Sequence, residues 1–261
     1  MTATLLIIDA MNLIRRIYAV QEKQHGETAL TLSATQTTAC NALKKMLHRH
    51  QPTHVICVFD SHAPSWRHQL YPDYKQGRKP IPEFLKQDLA KIQDLFFEMG
   101  VDSLVTDHDE ADDLIATLAD KMAKQQHRAI IVSTDKGFYQ LLNSQILIYD
   151  YFQNSYTDAL RVKNKMQLLT TQLCDYWAMT GISSSAVKGV EGIGAKGALA
   201  LLQRYDNLDN ILKQPAAEQD KRVIKVQEHQ QAALLAKQLV TLQKKISLGF
   251  NLKDLRYIKE Q

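Results

Sequence analysis

Four carboxylates fall within five residues at Asp109-Glu110-Ala111-Asp112-Asp113. Leu114, Ile115, Leu118 and Met122 follow at helical spacing, so the acids open a helix, with Glu110 at the cap and Asp112 and Asp113 in the first turn. A helix start favours one or two acids, because the macrodipole stabilises each by about 0.3 to 1 kcal/mol. Four together repel one another, at roughly 1 kcal/mol per pair at 4 Å in water and about 4 at the effective dielectric of a protein surface. Such crowding points to a cation. Further acids close short apolar runs elsewhere: Asp9 after Leu5-Leu6-Ile7-Ile8, Asp60 after Val55-Ile56-Cys57-Val58-Phe59, and Asp135 after Ile130-Ile131-Val132-Ser133-Thr134. The candidate ligands are therefore Asp9, Asp60, Glu110, Asp112 and Asp113, with Asp135 close by. A set of oxygens without paired His or Cys favours Mg²⁺ or Mn²⁺ over zinc. Metal-assisted phosphodiester cleavage is the chemistry such a set serves.

These acids need a frame that brings them together. The three apolar runs, at residues 4–9, 55–60 and 129–135, read as buried strands. Helical patterns at 33–47, 84–98 and 111–124 separate them, which predicts an α/β domain with parallel strands and crossover helices. In such sheets the functional crevice lies beyond the carboxyl ends of the strands, where a strand-closing Asp projects.

Composition is that of an ordinary globular protein, at 45% hydrophobic and 23% charged. The N-terminal Leu5-Leu6-Ile7-Ile8 run is too short for a signal or membrane segment, so the expectation is a cytoplasmic protein. Cys40, Cys57 and Cys174 are widely spaced without a C-x-x-C, which argues for reduced thiols and against a zinc site. Charge is unevenly spread. Residues 1–160 hold 16 Lys and Arg against 19 Asp and Glu, whereas residues 161–261 hold 16 against 9. An acidic front and a basic back suggest a metal-binding part and a polyanion-binding part.

Two segments carry the polyanion reading. Ser65-Trp66-Arg67-His68 and Tyr71-Pro72-Asp73-Tyr74-Lys75-Gln76-Gly77-Arg78 mix cations with aromatic rings, the combination that holds single-stranded backbone and stacks bases. Lys75 and Arg78, three apart, can face the acids together. Further on, Lys188-Gly189-Val190-Glu191-Gly192-Ile193-Gly194-Ala195-Lys196-Gly197 reads as a tight hairpin whose free N–H groups and following helix suit a phosphate. Its spacing matches a helix-hairpin-helix around 187–202, which grips DNA backbone without reading sequence. Residues 205–247 read as amphipathic helices with Leu208, Ile211, Leu212, Leu234, Leu235, Leu239 and Leu242 as core.

Taken together, Leu6-Ile7-Ile8-Asp9, Val58-Phe59-Asp60, Tyr74-Lys75-Gln76-Gly77-Arg78, Glu110-Ala111-Asp112-Asp113, Ser133-Thr134-Asp135-Lys136-Gly137 and the glycine hairpin resemble, over nearly the whole chain, the bacterial 5′-nuclease or flap endonuclease family, the type fused to DNA polymerase I. The resemblance implies a PIN-like nuclease domain over 1–160 and a helical domain over 161–261 with a three-helix variant of the helix-hairpin-helix. It implies Mg²⁺-dependent cleavage of branched DNA near the junction of a 5′ single-stranded flap, by a monomer without a protein partner. By the same resemblance Lys75 and Arg78 contact the scissile phosphate. Tyr74 and residues Gly192, Ile193, Gly194, Ala195, Lys196 and Gly197 contact DNA. Main-chain carbonyls of Met179, Thr180, Lys188, Val190 and Ile193 hold K⁺. The family pattern carries a second acid where this chain has Gly137 and a Gly-Asp-x-x-Asp segment where it reads Gly181-Ile182-Ser183-Ser184-Ser185. Asp135 is what remains of the second metal site. The competing expectation is a junction-binding protein whose nuclease activity has weakened or been lost.

Overall fold

Residues 2–60, 63–105, 109–215 and 220–258 are described by a computed structural model. Strand β1 (Thr4–Asp9) is followed by two helices, α1 (Ala10–His25) and α2 (Ala29–His50), and then by β2 (His54–Phe59). A short helix α3 (Trp66–Leu70) and the long α4 (Glu83–Glu98) lead to β3 (Ser103–Val105), and α5 (Ala111–Lys124) leads to β4 (Arg128–Val132). A 3-10 turn at Lys136–Leu141 precedes β5 (Ile146–Asp150) and β6 (Ser155–Thr157). The remainder is helical: α6 (Ala159–Met166), α7 (Leu173–Thr180), α8 (Ala195–Tyr205), α9 (Leu208–Leu212), α10 (Lys221–Glu228) and α11 (Gln230–Val240).

The six strands form one sheet in the order β3-β2-β1-β4-β5-β6, parallel except for the antiparallel β6. The parallel strands are covered on both faces, which is why they read as continuous apolar runs rather than alternating ones. Leu6, Ile8, Val55, Cys57, Ile130 and Val132 face α1, α2 and α4. Leu5, Ile7, Ile56, Val58, Ala129 and Ile131 face α5 and share a core with Leu173, Ala178, Leu201, Ile211, Leu239 and Leu242 of the helical part. The α/β expectation holds, including three strands that lead into acids. The helix α1 and the strands β3, β5 and β6 were not anticipated. One core assignment is corrected: Leu234 is 39% exposed, lying on the outer side of α11.

Because β1 and β4 are neighbours at the centre of the sheet and β2 flanks β1, their carboxyl ends open on one crevice. The N-terminus of α5 packs over the same end, and α7 and the hairpin that follows it close the far side. No helix among the described residues is long and apolar enough to cross a membrane.

Candidate active site

Each acid is positioned by its own element. Asp9 ends β1 and caps α1; its Oδ1 accepts the Asn12 N–H at 3.2 Å and its Oδ2 the Ser133 hydroxyl at 2.7 Å. Asp60 follows β2 and accepts the Ala111 N–H at 3.1 Å, tying that strand end to the start of α5. Asp135 caps the 3-10 turn after β4 by accepting the Gly137 N–H at 2.7 Å. Asp112 lies in the first turn of α5 and has no hydrogen bond among the described residues. Burial pushes Asp9 up to about 7, with the nearby Asp60 and Asp135 charges adding to the rise. Burial likewise lifts Asp112 well above the usual carboxylate range; Lys75 opposes it, and Asp60, Asp135 and Asp9 reinforce it. Burial and like charges thus raise Asp9 and Asp112 beside Asp60 and Asp135, a charge distribution that a hard divalent cation would relieve.

The expected five-acid cluster is nevertheless corrected. Among the described residues no group of three or more His, Cys, Asp and Glu is set as a ready cage for an ion. Asp113 is fully buried and turned away from Asp112, as neighbours about 100° apart on a helix must be. Its oxygens are filled: Arg67 donates to both at 2.7 and 2.8 Å, Trp66 Nε1 donates at 3.0 Å and the Gln243 N–H at 2.9 Å. Arg67 itself is 1% exposed and also donates to the carbonyls of Leu239 and Thr241. Asp113 is thus a structural anchor rather than an open ligand.

Glu110 caps α5, as expected, but is engaged by protein. Lys75 Nζ lies 2.8 Å from its Oε2, Arg67 Nη1 3.4 Å, and Ser65 and Tyr74 donate their hydroxyls to it. Burial opposes its charge, yet Lys75 and Arg67 outweigh that and hold Glu110 below the usual carboxylate range. Tyr74 is 7% exposed, its ring edge-on to His68 at 5.3 Å, so it braces Glu110 and does not offer a free face to a base. Lys75 adopts a left-handed backbone (φ 57°), and its N–H donates to the Ser185 carbonyl at 2.9 Å.

Lys75, Arg78, Asp112 and Asp135 line one cavity of about 600 Å³, together with Asn12, Arg16 and Lys136 on one side and Thr180, Gly181, Ile182 and Val187 on the other. Gly137 and Ser185, where the family pattern has acids, line it too. A Cβ at 137 would stand 3.1 Å from Asp135 Oδ1. The Ser183–Ser185 turn is closed by a backbone bridge between Ile182 and Val187, and its last carbonyl supports Lys75.

The hairpin between α7 and α8 is held by close backbone approach. Val190 N–H donates to the Met179 carbonyl at 2.8 Å, Ile193 N–H to the Val190 carbonyl at 3.1 Å, and a Cβ at Gly189 would lie 2.3 Å from that Met179 oxygen. Gly192 has φ 76°, and Gly194 caps α8 without a side-chain bond, leaving the first N–H groups of α8 at an exposed turn beside Ala195, Lys196 and Gly197. Met179, Val190 and Ile193 are buried, Thr180 is half-buried and Lys188 is exposed, and the carbonyls of Met179 and Val190 accept the Val190 and Ile193 N–H groups.

Sequence reasoning missed Arg67. Its place between Trp66 and His68 makes it resemble part of a basic surface, and nothing local names a partner 46 residues away.

This combination, a parallel α/β sheet with acids at its carboxyl ends and a glycine hairpin between helices, defines a phosphodiester-cleaving class of DNA enzyme. The chain belongs to the 5′-3′ exonuclease family: the model for its N-terminal resolvase-like domain matches residues 4–167, and that for its C-terminal SAM fold matches residues 168–261. Within that family it is similar to flap endonuclease Xni of Psychromonas ingrahamii, 68% identical over 257 residues and 98% of each chain. Flap endonuclease Xni of Aeromonas hydrophila is 50% identical over 97% of this chain and 95% of its own length. The fold is that of the T5 D15 protein co-crystallised with metal ions, with a TM-score of 0.74 at 19% identity over 91% of this chain and 88% of that one. The catalytic core of Rad2 in complex with a DNA substrate gives 0.56 at 12% identity, over 91% of this chain and 77% of that one.

Proposed function

We propose that the chain is a structure-specific 5′ flap endonuclease that depends on a divalent cation, Mg²⁺ in the first instance. The observation that carries this reading is the acid set of Asp9, Asp60, Asp112 and Asp135, in which burial and neighbouring charges raise Asp9 and Asp112, with Asp112 and Asp135 sharing one cavity with Lys75 and Arg78. Mg²⁺ suits these residues because it keeps several waters and takes one or two carboxylates plus substrate phosphate oxygens, so it needs no complete protein cage. Asp112 and Asp135, open to the cavity, would hold it, with Asp9 and Asp60 behind them; Glu110 joins if Lys75 releases it. Bound there, such a cation would supply Lewis-acid polarisation of the phosphodiester and a hydroxide nucleophile at neutral pH. Lys75 and Arg78 bind and orient the scissile phosphate, and Tyr74 holds the acid that pairs with Lys75. The exposed turn at Gly192–Gly197 binds duplex backbone through N–H groups and Lys196, with K⁺ at the carbonyls of Met179, Thr180, Lys188, Val190 and Ile193.

A second reading, a junction-binding protein without nuclease activity, draws on Gly137, Ile182 and Ser185, which leave the second metal site to Asp135. One experiment separates them. Purified protein is incubated with end-labelled 5′-flap and plain duplex DNA, with Mg²⁺ and with chelator. Incision at the flap junction in Mg²⁺ alone is the expected result. Tight flap binding with no incision at any Mg²⁺ or Mn²⁺ concentration overturns the enzyme in favour of the binder.

A further inference from the structure

Far from the hairpin, the C-terminal half of α2 meets the β5–β6 turn at the edge of the sheet. Here Lys44, Lys45, His48 and Arg49 are exposed on one helix face and, with Tyr149, Tyr151, Phe152 and Asn154, line a groove that no acidic residue enters among the described residues. That is unusual for the first 160 residues, where acids outnumber bases 19 to 16.

The aromatic residues beneath are rigidly set. His50 stands edge-on to Tyr149 and Tyr156, at 4.6 and 5.7 Å between ring centroids, and shares a 2.7 Å hydrogen bond with the Tyr156 hydroxyl. The Arg49 guanidinium lies over the Tyr149 ring at 5.3 Å and the Tyr156 ring at 5.9 Å. Burial, aided by the Arg49 charge, pushes His50 down to about 4, so this base is uncharged and the positive charge sits on the outer cations. Tyr149 is buried and needs no explanation beyond the core. Phe152 is not buried: it is 41% exposed on the turn, flanked by Tyr151 at 5.4 Å, and the Arg16 guanidinium lies over its ring at 5.4 Å. Arg16 also lines the cavity that holds Asp112 and Asp135. The patch is therefore continuous with the crevice through one arginine side chain.

Cations that track a backbone, interleaved with exposed rings, are the chemistry of a single-strand surface, since every base has a face to stack and every linkage a charge. A duplex buries its base faces and would leave Phe152 without a partner. We propose that this surface, with Lys44, Lys45 and Arg49 on phosphates and Phe152 under a base, binds the 5′ single-stranded flap beyond the crevice; it rests on the flap endonuclease reading.

The test is fluorescence anisotropy on 5′-flap substrates whose flaps are either one nucleotide or long, comparing wild-type protein with a Lys44→Gln/Lys45→Gln double variant and with Phe152→Ala. All three positions are surface-exposed, and circular dichroism melts check that each variant folds as wild type. Wild type should bind the long flap more tightly. Phe152→Ala should weaken long-flap binding roughly fivefold or more, and the double variant should make its salt dependence shallower by about 1.4 in slope. Both should bind the one-nucleotide flap, and cleave it at saturation, as wild type does. Equal losses on both flaps, no loss on either, or a loss that follows duplex length instead overturns the surface while leaving the function reading intact. Equal binding of short and long flaps by wild type likewise overturns the surface, whereas the function reading is overturned by absence of incision at the flap junction in Mg²⁺.

Discussion

Asp112 and Asp113 are adjacent acids in one helical turn, and their surroundings assign them opposite roles. Replacing Asp113 by Asn removes the charge that pairs with the buried Arg67 and turns an amide N–H₂ toward one of its guanidinium nitrogens. Breaking one side of a buried ion pair costs about 3–5 kcal/mol. Arg67 keeps its bonds to the Leu239 and Thr241 carbonyls and its approach to Glu110, which favours the lower end. For a protein of this size about 3 kcal/mol corresponds to a fall of roughly 6–12 °C in Tm. Replacing Asp112 by Asn breaks no hydrogen bond among the described residues; it gives up the attraction of Lys75 but removes the burial cost of the charge and the repulsion from Asp60, Asp135 and Asp9. Its Tm in chelator should equal or exceed that of wild type. The assay is thermal unfolding of wild type and both variants, in chelator and across a Mg²⁺ titration. Wild type and Asp113→Asn should show a Mg²⁺-dependent rise in Tm, and Asp112→Asn should not. The reasoning is refuted if Asp113→Asn is as stable as wild type in chelator yet no longer responds to Mg²⁺.

Other outcomes follow from the same geometry. The metal-free protein should lose stability as pH rises from about 4 to 7, other groups aside. Asp9 keeps its proton in the folded state to about 7 but releases it near 3.8 when unfolded, so the folded state binds the extra proton in that window. Mg²⁺ should therefore raise Tm more at pH 8 than at pH 5.5, and an equal rise at both would contradict a site built on these acids. Lys75→Met should free Glu110 of its 2.8 Å partner and lower the single-turnover cleavage rate at least a hundredfold, with flap affinity changed by less than threefold; a loss confined to affinity would make Lys75 a binding residue alone. Lys196→Ala should weaken binding similarly across sequences, with a salt slope shallower by about 1. A loss that depends on sequence would remove the hairpin from backbone contact.

Much of the frame could be read from one chain because strand-ending acids are a local signal. Asp9, Asp60 and Asp135 each follow a continuous apolar run, and parallel strands bring their ends together regardless of what lies between. The hairpin was legible for a similar reason: close approach demands Gly189 and a positive φ favours Gly192, within a few residues of each other. What was not legible depends on distant partners. Asp112 and Asp113 look alike in sequence, and only Arg67, Trp66 and Gln243, arriving from far along the chain, distinguish them. Tyr74 looked like a stacking ring because its burial is imposed by Glu110 and His68. Leu234 matched the core spacing of α11 but falls on the solvent side, since that helix buries Ala233, Ala236, Leu239 and Val240 instead. The helix α1 escaped notice because Arg15, Arg16, Glu22 and Lys23 dilute its apolar face.

Arg67 joins residues 46 and 172 positions away in the chain. Such contacts are entropically costly to close and, in general, form late in folding. During synthesis the strands and their acids emerge before the carbonyls of Leu239 and Thr241, which lie 172 and 174 residues beyond Arg67, and before the Gln243 N–H, 130 residues beyond Asp113. The surroundings of Asp113 at the start of α5 are thus completed by residues made well after it. A nascent product therefore carries Asp113 and Glu110 before the carbonyls that hold their partner Arg67 in place have been made.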